Sequence, residues 1–158
     1  MGVQRIASRL QHALRTGSAS RSLMREADKQ ISRNLSLKTE VALQRVCHMM
    51  NRTADLKLKE RLATAYIQLT RIHEDFRSME GEGYLSLVND GRLDRSRTRT
   101  LLDMDAELST LVSALEMSVS GLTRRTITER EYEDLTEIML EIGAQVDARR
   151  DLLSSVQR

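Results

Sequence analysis

An all-α fold follows from three features of this sequence: proline is absent, apolar residues recur at heptad spacing in three long stripes, and a strong helix-start signal precedes the last stripe. The expected architecture is an antiparallel helical bundle or an elongated helical hairpin with coiled-coil-like packing, preceded by a short amphipathic helix. Glycine occurs only at positions 2, 17, 81, 83, 91, 121 and 143, so no backbone breaker stands between Ser18 and Glu80. The 158 residues can enclose one core. Residues 1–16 read as a basic amphipathic N-terminal helix and 17–158 as the bundle or hairpin domain.

The first element spans about residues 3–15. Val3, Ile6, Ala7, Leu10, Ala13 and Leu14 fall on one helical face, with Arg5, Arg9, His12 and Arg15 on the rest. Thr16-Gly17-Ser18-Ala19-Ser20 then reads as a stop and a hinge that leaves this helix free to move.

The second element is a continuous helical pattern over about residues 20–79, which uninterrupted would reach about 90 Å at 1.5 Å per residue. That is too long for one compact domain, so either a bend between Ser32 and Asp55 or an elongated molecule is expected. Its early stripe is Leu35, Ala42, Val46, Met49 and Leu56, and its later one Leu58, Leu62, Ala65, Leu69, Ile72, Phe76 and Met79. The stripes differ in phase, which predicts a stutter, a bend or a change of partner near Asp55. Glu80-Gly81-Glu82-Gly83 ends this helix, Tyr84 to Val88 forms a short turn, and Asn89-Asp90-Gly91 reverses the chain.

Asp94 or Ser96 caps the next helix, whose stripe is Leu101, Met104, Leu108, Leu111, Leu115 and Leu122 and whose end is marked by Gly121. Thr128 and Glu131 form a capping box, with Ile127 and Tyr132 at staple spacing. The last helix carries Tyr132, Leu135, Met139, Ile142, Val146, Leu153 and Val156, and Gly143 beside this stripe offers room for another helix to approach.

Charge is divided by position. Residues 1–73 carry 14 Lys and Arg against 5 Asp and Glu, whereas residues 74–158 carry 11 against 18, so the whole-chain charge of +2 hides a basic half and an acidic half. The acidic last helix can lie beside the basic helix of its own molecule or of a neighbouring copy, and a homo-oligomer is expected.

Catalytic chemistry finds little purchase here. Two ligands share a helix face at Glu-x-x-His or His-x-x-x-His spacing, and neither pattern occurs around His12, His48 or His73. There is no phosphate loop, dinucleotide fingerprint or nucleophile elbow. Glu133, Glu137 and Glu141 share a face but read as a solvated row. The expectation is a chain that is no enzyme and takes no cofactor or metal. Cys47 is alone, which points to a reducing, cytoplasmic setting, and no apolar run is long enough to cross a bilayer.

Two basic clusters are the candidate sites. At the N-terminus, Arg5, Arg9 and Arg15 are placed to meet lipid phosphates while Val3, Ile6, Leu10 and Leu14 enter the headgroup boundary. The same composition fits a mitochondrial presequence or a short helix docked on the bundle. Arg92, Arg95, Arg97 and Arg99 oppose the dipole at a helix start, which hints at an anionic contact, while a mobile loop whose arginines pair with Asp90, Asp94 and Glu82 is the favoured alternative. The functional expectation is a helical scaffold that self-associates and meets an anionic membrane surface or acidic protein partner through its basic N-terminal region. A nucleic-acid-binding protein is the alternative, weakened by the lack of stacking aromatics; a helical chaperone or assembly subunit is a third. The layout of short amphipathic helix, long basic arm and acidic C-terminal region resembles membrane-remodelling proteins of the ESCRT-III and phage-shock type. The resemblance is one of layout and transfers no functional residues.

Overall fold

The N-terminal stripe folds as α1 (Gly2–Thr16) and is buried along its whole length: Val3, Ile6, Ala7, Leu10, Ala13 and Leu14 all lie in the core. The computed structural model describes residues 2–17, 20–80, 83–122 and 127–154; the expected hinge residues Ser18 and Ala19, the helix end at Gly81 and Glu82, and the stripe position Val156 lie outside them. Five helices follow α1 among the described residues: α2 (Arg21–Arg52), α3 (Leu56–Met79), α4 (Tyr84–Asn89), α5 (Arg95–Gly121) and α6 (Glu129–Ser154). The fold is an all-α bundle.

The expected helix over 20–79 is two helices, broken without glycine or proline. Thr53 leaves helical geometry, and its hydroxyl accepts the Asp55 N–H at 3.3 Å. The Asp55 carboxylate then accepts the N–H groups of Lys57 at 3.0 Å and Leu58 at 3.4 Å as the cap of α3. Short polar side chains here offer the backbone partners outside the helix. The phase change is therefore a reversal, with each stripe facing the other across an α2–α3 hairpin. Leu56, expected on the early stripe, is 77% exposed because it sits at the outer side of this new helix start. Met49 and Met79 are half-buried.

Two hairpins, α2–α3 and α5–α6, stack side by side. Lys38 donates to Ser113 at 2.6 Å and Arg45 donates to Ser120, both across 75 residues, so α2 and α5 run parallel. Arg61 pairs with Glu129 near the starts of α3 and α6, and Arg150 with Asp75 near their ends, so these helices are parallel too. The buried positions of α3 (Leu58, Leu62, Ala65, Leu69, Ile72, Phe76) and of α6 (Leu135, Met139, Ile142, Val146, Arg149, Leu153) step identically by four and three. In α6 the place of Ile72 is taken by an arginine.

α5 packs against α1, α2 and α6. Its buried face is accordingly broader than a two-position seam. Leu101, Leu108, Leu115 and Leu122 are buried as expected, but Leu102, Val112 and Val119 join them while Met104 and Leu111 are only half-buried. Asp94 caps α5, accepting the Arg97 N–H at 2.8 Å.

α1 lies across α2 and α5, so residues 1–16 do not stand apart from the bundle but help to build it. The physical reason is the stripe itself. Burying Val3, Ile6, Leu10 and Leu14 is worth about 1.5–3 kcal/mol for each side chain, and the α2–α5 groove provides that burial within the molecule. Gly17 ends α1 at φ +73, a backbone conformation that favours glycine, and the Arg95 guanidinium packs beside it. Gly143 plays no comparable role, because nothing lies within 4 Å of a Cβ placed on it.

The capping box forms as expected: Glu131 N–H donates to Thr128 Oγ1 at 3.2 Å and Thr128 N–H to Glu131 Oε2 at 3.1 Å. Thr128→Ala is expected to lower the unfolding free energy by about 1 kcal/mol, measured by urea titration. An unchanged midpoint contradicts the role of this cap.

Candidate functional site

The polar centre of the bundle is a set of residues from four helices. Arg149 on α6 and Asp105 on α5 are 5% and 3% exposed, and Arg149 Nε donates to Asp105 Oδ1 at 2.9 Å. Tyr84, at the start of α4, donates its hydroxyl to Asp105 Oδ2 at 2.6 Å. Burial first, and then the Asp105 carboxylate, push the Tyr84 hydroxyl well above its ordinary pKa, so the phenol keeps its proton and donates. Asp28 on α2 reaches the same region. Its carboxylate rests against Gly83, where any Cβ would collide with Oδ2.

Burial, then repulsion from Asp105, raise the pKa of Asp28 against the opposing pull of Arg149. This arrangement ties α4, α5 and α6 together, with α2 alongside. Asp105 has both oxygens engaged, and Tyr84 is fully enclosed.

The expected arginine cluster divides around this centre. Arg92 lines a cleft of about 180 Å³ with Asp75, Arg149 and Arg150 at the ends of α3 and α6. Arg95 turns the other way and packs on Gly17 at the end of α1. Arg97 is half-buried, and Arg99 is exposed. The four side chains do not converge on one anion. In this cleft Arg150 meets Asp75 at 3.2 Å and Arg149 is committed to Asp105.

The N-terminal set divides by chemistry. Arg5, Arg9 and Arg15 point to solvent, whereas Val3, Ile6, Leu10 and Leu14 face the core and are not displayed to any outside surface. This removes the insertion step expected for them. Hydrocarbon would offer these side chains only the burial they already have. The exposed cations continue along α2 as Arg21, Arg25, Lys29 and Arg33.

An acidic surface balances this one. Glu131, Asp134, Glu137 and Glu141 line an open groove of about 620 Å³ between the end of α5 and the start of α6, together with Met117 and Ile138. Met117 is 77% exposed. Among the described residues Asp134, Glu137 and Glu141 form no ion pair. The basic and acidic halves are joined internally at a few points: Lys38 with Glu116 at 4.0 Å, Arg61 with Glu129, and Asp75 with Arg150. Arg61 also lies over the Tyr132 ring at 5.1 Å from its centroid, and its hydrogen bond holds the Glu129 carboxyl below its ordinary pKa.

Asp105, Arg149, Asp28 and Tyr84 escape a reading of apolar periodicity because that reading records only the apolar members of each stripe. One trace was visible. The last stripe jumps from Val146 to Leu153, and Arg149 occupies the skipped position. No described helix is long and apolar enough to cross a membrane, and among the described residues no group of three or more His, Cys, Asp or Glu could hold a metal ion. Comparison with protein-family models, with curated proteins and with solved structures finds no match to this chain.

Two outcomes are expected from this geometry. Asp105→Ala strands the Arg149 charge in the core and should cost about 3–5 kcal/mol, with Arg149→Met in the same chain recovering most of it in denaturant titrations; equal stability of single and double variants contradicts the pairing. The folded state raises the Asp28 pKa, so the native protein holds that proton more tightly than the unfolded chain does. The stability this contributes is present in acid and lost as pH rises through the raised pKa. Asp28→Asn should therefore stabilise the protein at neutral pH by an amount that shrinks toward zero in acid, and a pH-independent effect in melting curves contradicts the assignment.

Proposed function

We propose that this chain is a non-enzymatic helical scaffold that works by association, meeting an anionic surface through the cations displayed on α1 and the start of α2. One observation carries the reading. Arg5, Arg9, Arg15, Arg21, Arg25, Lys29 and Arg33 are all exposed, and the carboxylates in the same stretch are Glu26 and the half-buried Asp28. Stability alone gives no reason for so many like charges on neighbouring helices, since they repel one another across the surface. An anionic partner relieves that repulsion.

The contact is superficial in this reading. With the apolar side of α1 sealed in the core, arginines meet acidic side chains or lipid phosphates from outside, and affinity comes from charge. Nucleic-acid phosphates would draw on the same cations, but the aromatics that stack bases are scarce: Tyr84 and Phe76 are buried, Tyr132 lies under Arg61, and Tyr66 on α3 is the exposed one.

Removing residues 1–16 would take side chains out of the core, so charge reversal is the cleaner test. The exposed triple variant Arg5→Glu, Arg9→Glu, Arg15→Glu is compared with the parent by co-sedimentation with anionic and with neutral vesicles, and by gel shift with duplex DNA. The parent is expected to bind anionic vesicles, to release them as salt rises, and to ignore neutral ones. At about 1 kcal/mol per arginine the variant loses roughly a hundredfold in affinity. Binding that ignores both salt and the reversal overturns the proposal, and a shift confined to DNA replaces it with the nucleic-acid reading.

A further inference from the structure

We infer that the acidic α5–α6 groove receives the basic side of α2 from a second copy of this chain, so that molecules associate head to tail. The inference deepens the association reading by naming the partner and the two surfaces. Asp134, Glu137 and Glu141 follow one edge of the groove at steps of three and four, and Met117 and Ile138 supply its apolar part. On α2, Arg25, Lys29, Arg33 and Leu37 stand at steps of four and are all exposed, Leu37 at 49%. At 1.5 Å per residue the carboxylate row and the cation row each extend about 10–12 Å, so three charges can face three with an apolar contact beside them.

The rows belong to different hairpins and cannot meet within one molecule. α2 and α5 are joined through Lys38–Ser113 and Arg45–Ser120, while the groove opens along α6 at the far end of α5 from Arg25, Lys29 and Arg33. Each copy thus carries one half of the complementary pair at either side. Lys29, Arg33 and Leu37 border a second open groove of about 410 Å³ with Ser32 and Ser36, whose other lining residues are the carboxylates Asp28 and Glu80.

The stacking of the two hairpins gives the contact its geometry. In one molecule the second hairpin lies parallel to the first, with matching core steps in α3 and α6. A following copy can place its first hairpin against the second hairpin of the preceding one in the same sense, shifted along the helix axes by about 20–25 Å so that its cation row comes level with the groove at the end of α5. Because the two surfaces differ, the contact is heterologous and leaves a free groove and a free basic row at the ends of every assembly.

Charge reversal of each face gives the test. One variant carries Asp134→Lys, Glu137→Lys and Glu141→Lys; the other carries Arg25→Glu, Lys29→Glu and Arg33→Glu. All six positions are exposed, and thermal melting monitors folding of both. Sedimentation velocity over a concentration series at low and high salt is expected to show the parent assembling beyond dimers at low salt and dissociating as screening increases. Each variant alone should associate roughly a hundredfold more weakly or worse. An equimolar mixture of the two should assemble again, because reversed groove meets reversed row. A parent that stays monomeric at low salt overturns the inference. So does a closed dimer, continued assembly by either variant alone, or a folded mixture that does not recover. The α1 variants used with vesicles leave both rows intact, so failure of vesicle binding and failure of self-assembly are separate results.

Discussion

The Arg149–Asp105 pair is the constraint around which the bundle closes. Apolar burial supplies the driving force for collapse, but leucine seams of similar spacing tolerate sliding and rotation. A buried charge does not. Any register of α6 that moves Arg149 from Asp105 leaves two ions in a dry core, at a cost larger than the gain from a few repacked methyl groups. Asp105 also accepts from Tyr84, so the same carboxylate locates α4 and with it the reversal between the hairpins. The pair adds little stability compared with apolar side chains of the same shape. Its contribution is to exclude the alternatives.

Around that centre the molecule segregates charge by hairpin. The first carries the exposed cations Arg21, Arg25, Lys29 and Arg33 and the second the acidic groove, and among the described residues the pairs Lys38–Glu116, Arg61–Glu129 and Asp75–Arg150 join them. The helices with the strongest fields are therefore incompletely neutralised within the molecule. A protein with this distribution has a large dipole even at small net charge, and its long-range attraction is directional. The behaviour of α1 fits the same division: its apolar face serves the fold, and its arginines add to the basic surface.

Much of the architecture was legible in the residues, and the misreadings have definite causes. The Thr128–Glu131 cap, the Asp94 cap and the stripes of α3 and α6 follow local rules that tertiary contact did not override. The break at Thr53–Asp55 was visible only as a change of phase, because the absence of glycine and proline outweighed the local competition from two polar side chains. The burial of α1 was one of three readings that its residues left open, because an amphipathic helix looks the same whether its apolar side meets lipid or protein. The breadth of the α5 face was missed because a seam counts one partner and α5 has three.

The all-α class, the charge division and the helix caps at Asp94 and Thr128 were determined by the sequence alone, since each depends on neighbours within a few residues or on simple composition. The tertiary structure alone decided that α2 and α5 run parallel, that the four arginines near the start of α5 separate, and that Arg149 meets Asp105 across 44 residues. These outcomes depend on how whole helix faces share a common interior. Packing is a property of surfaces brought together from distant parts of the chain, and no local pattern specifies which surfaces those are.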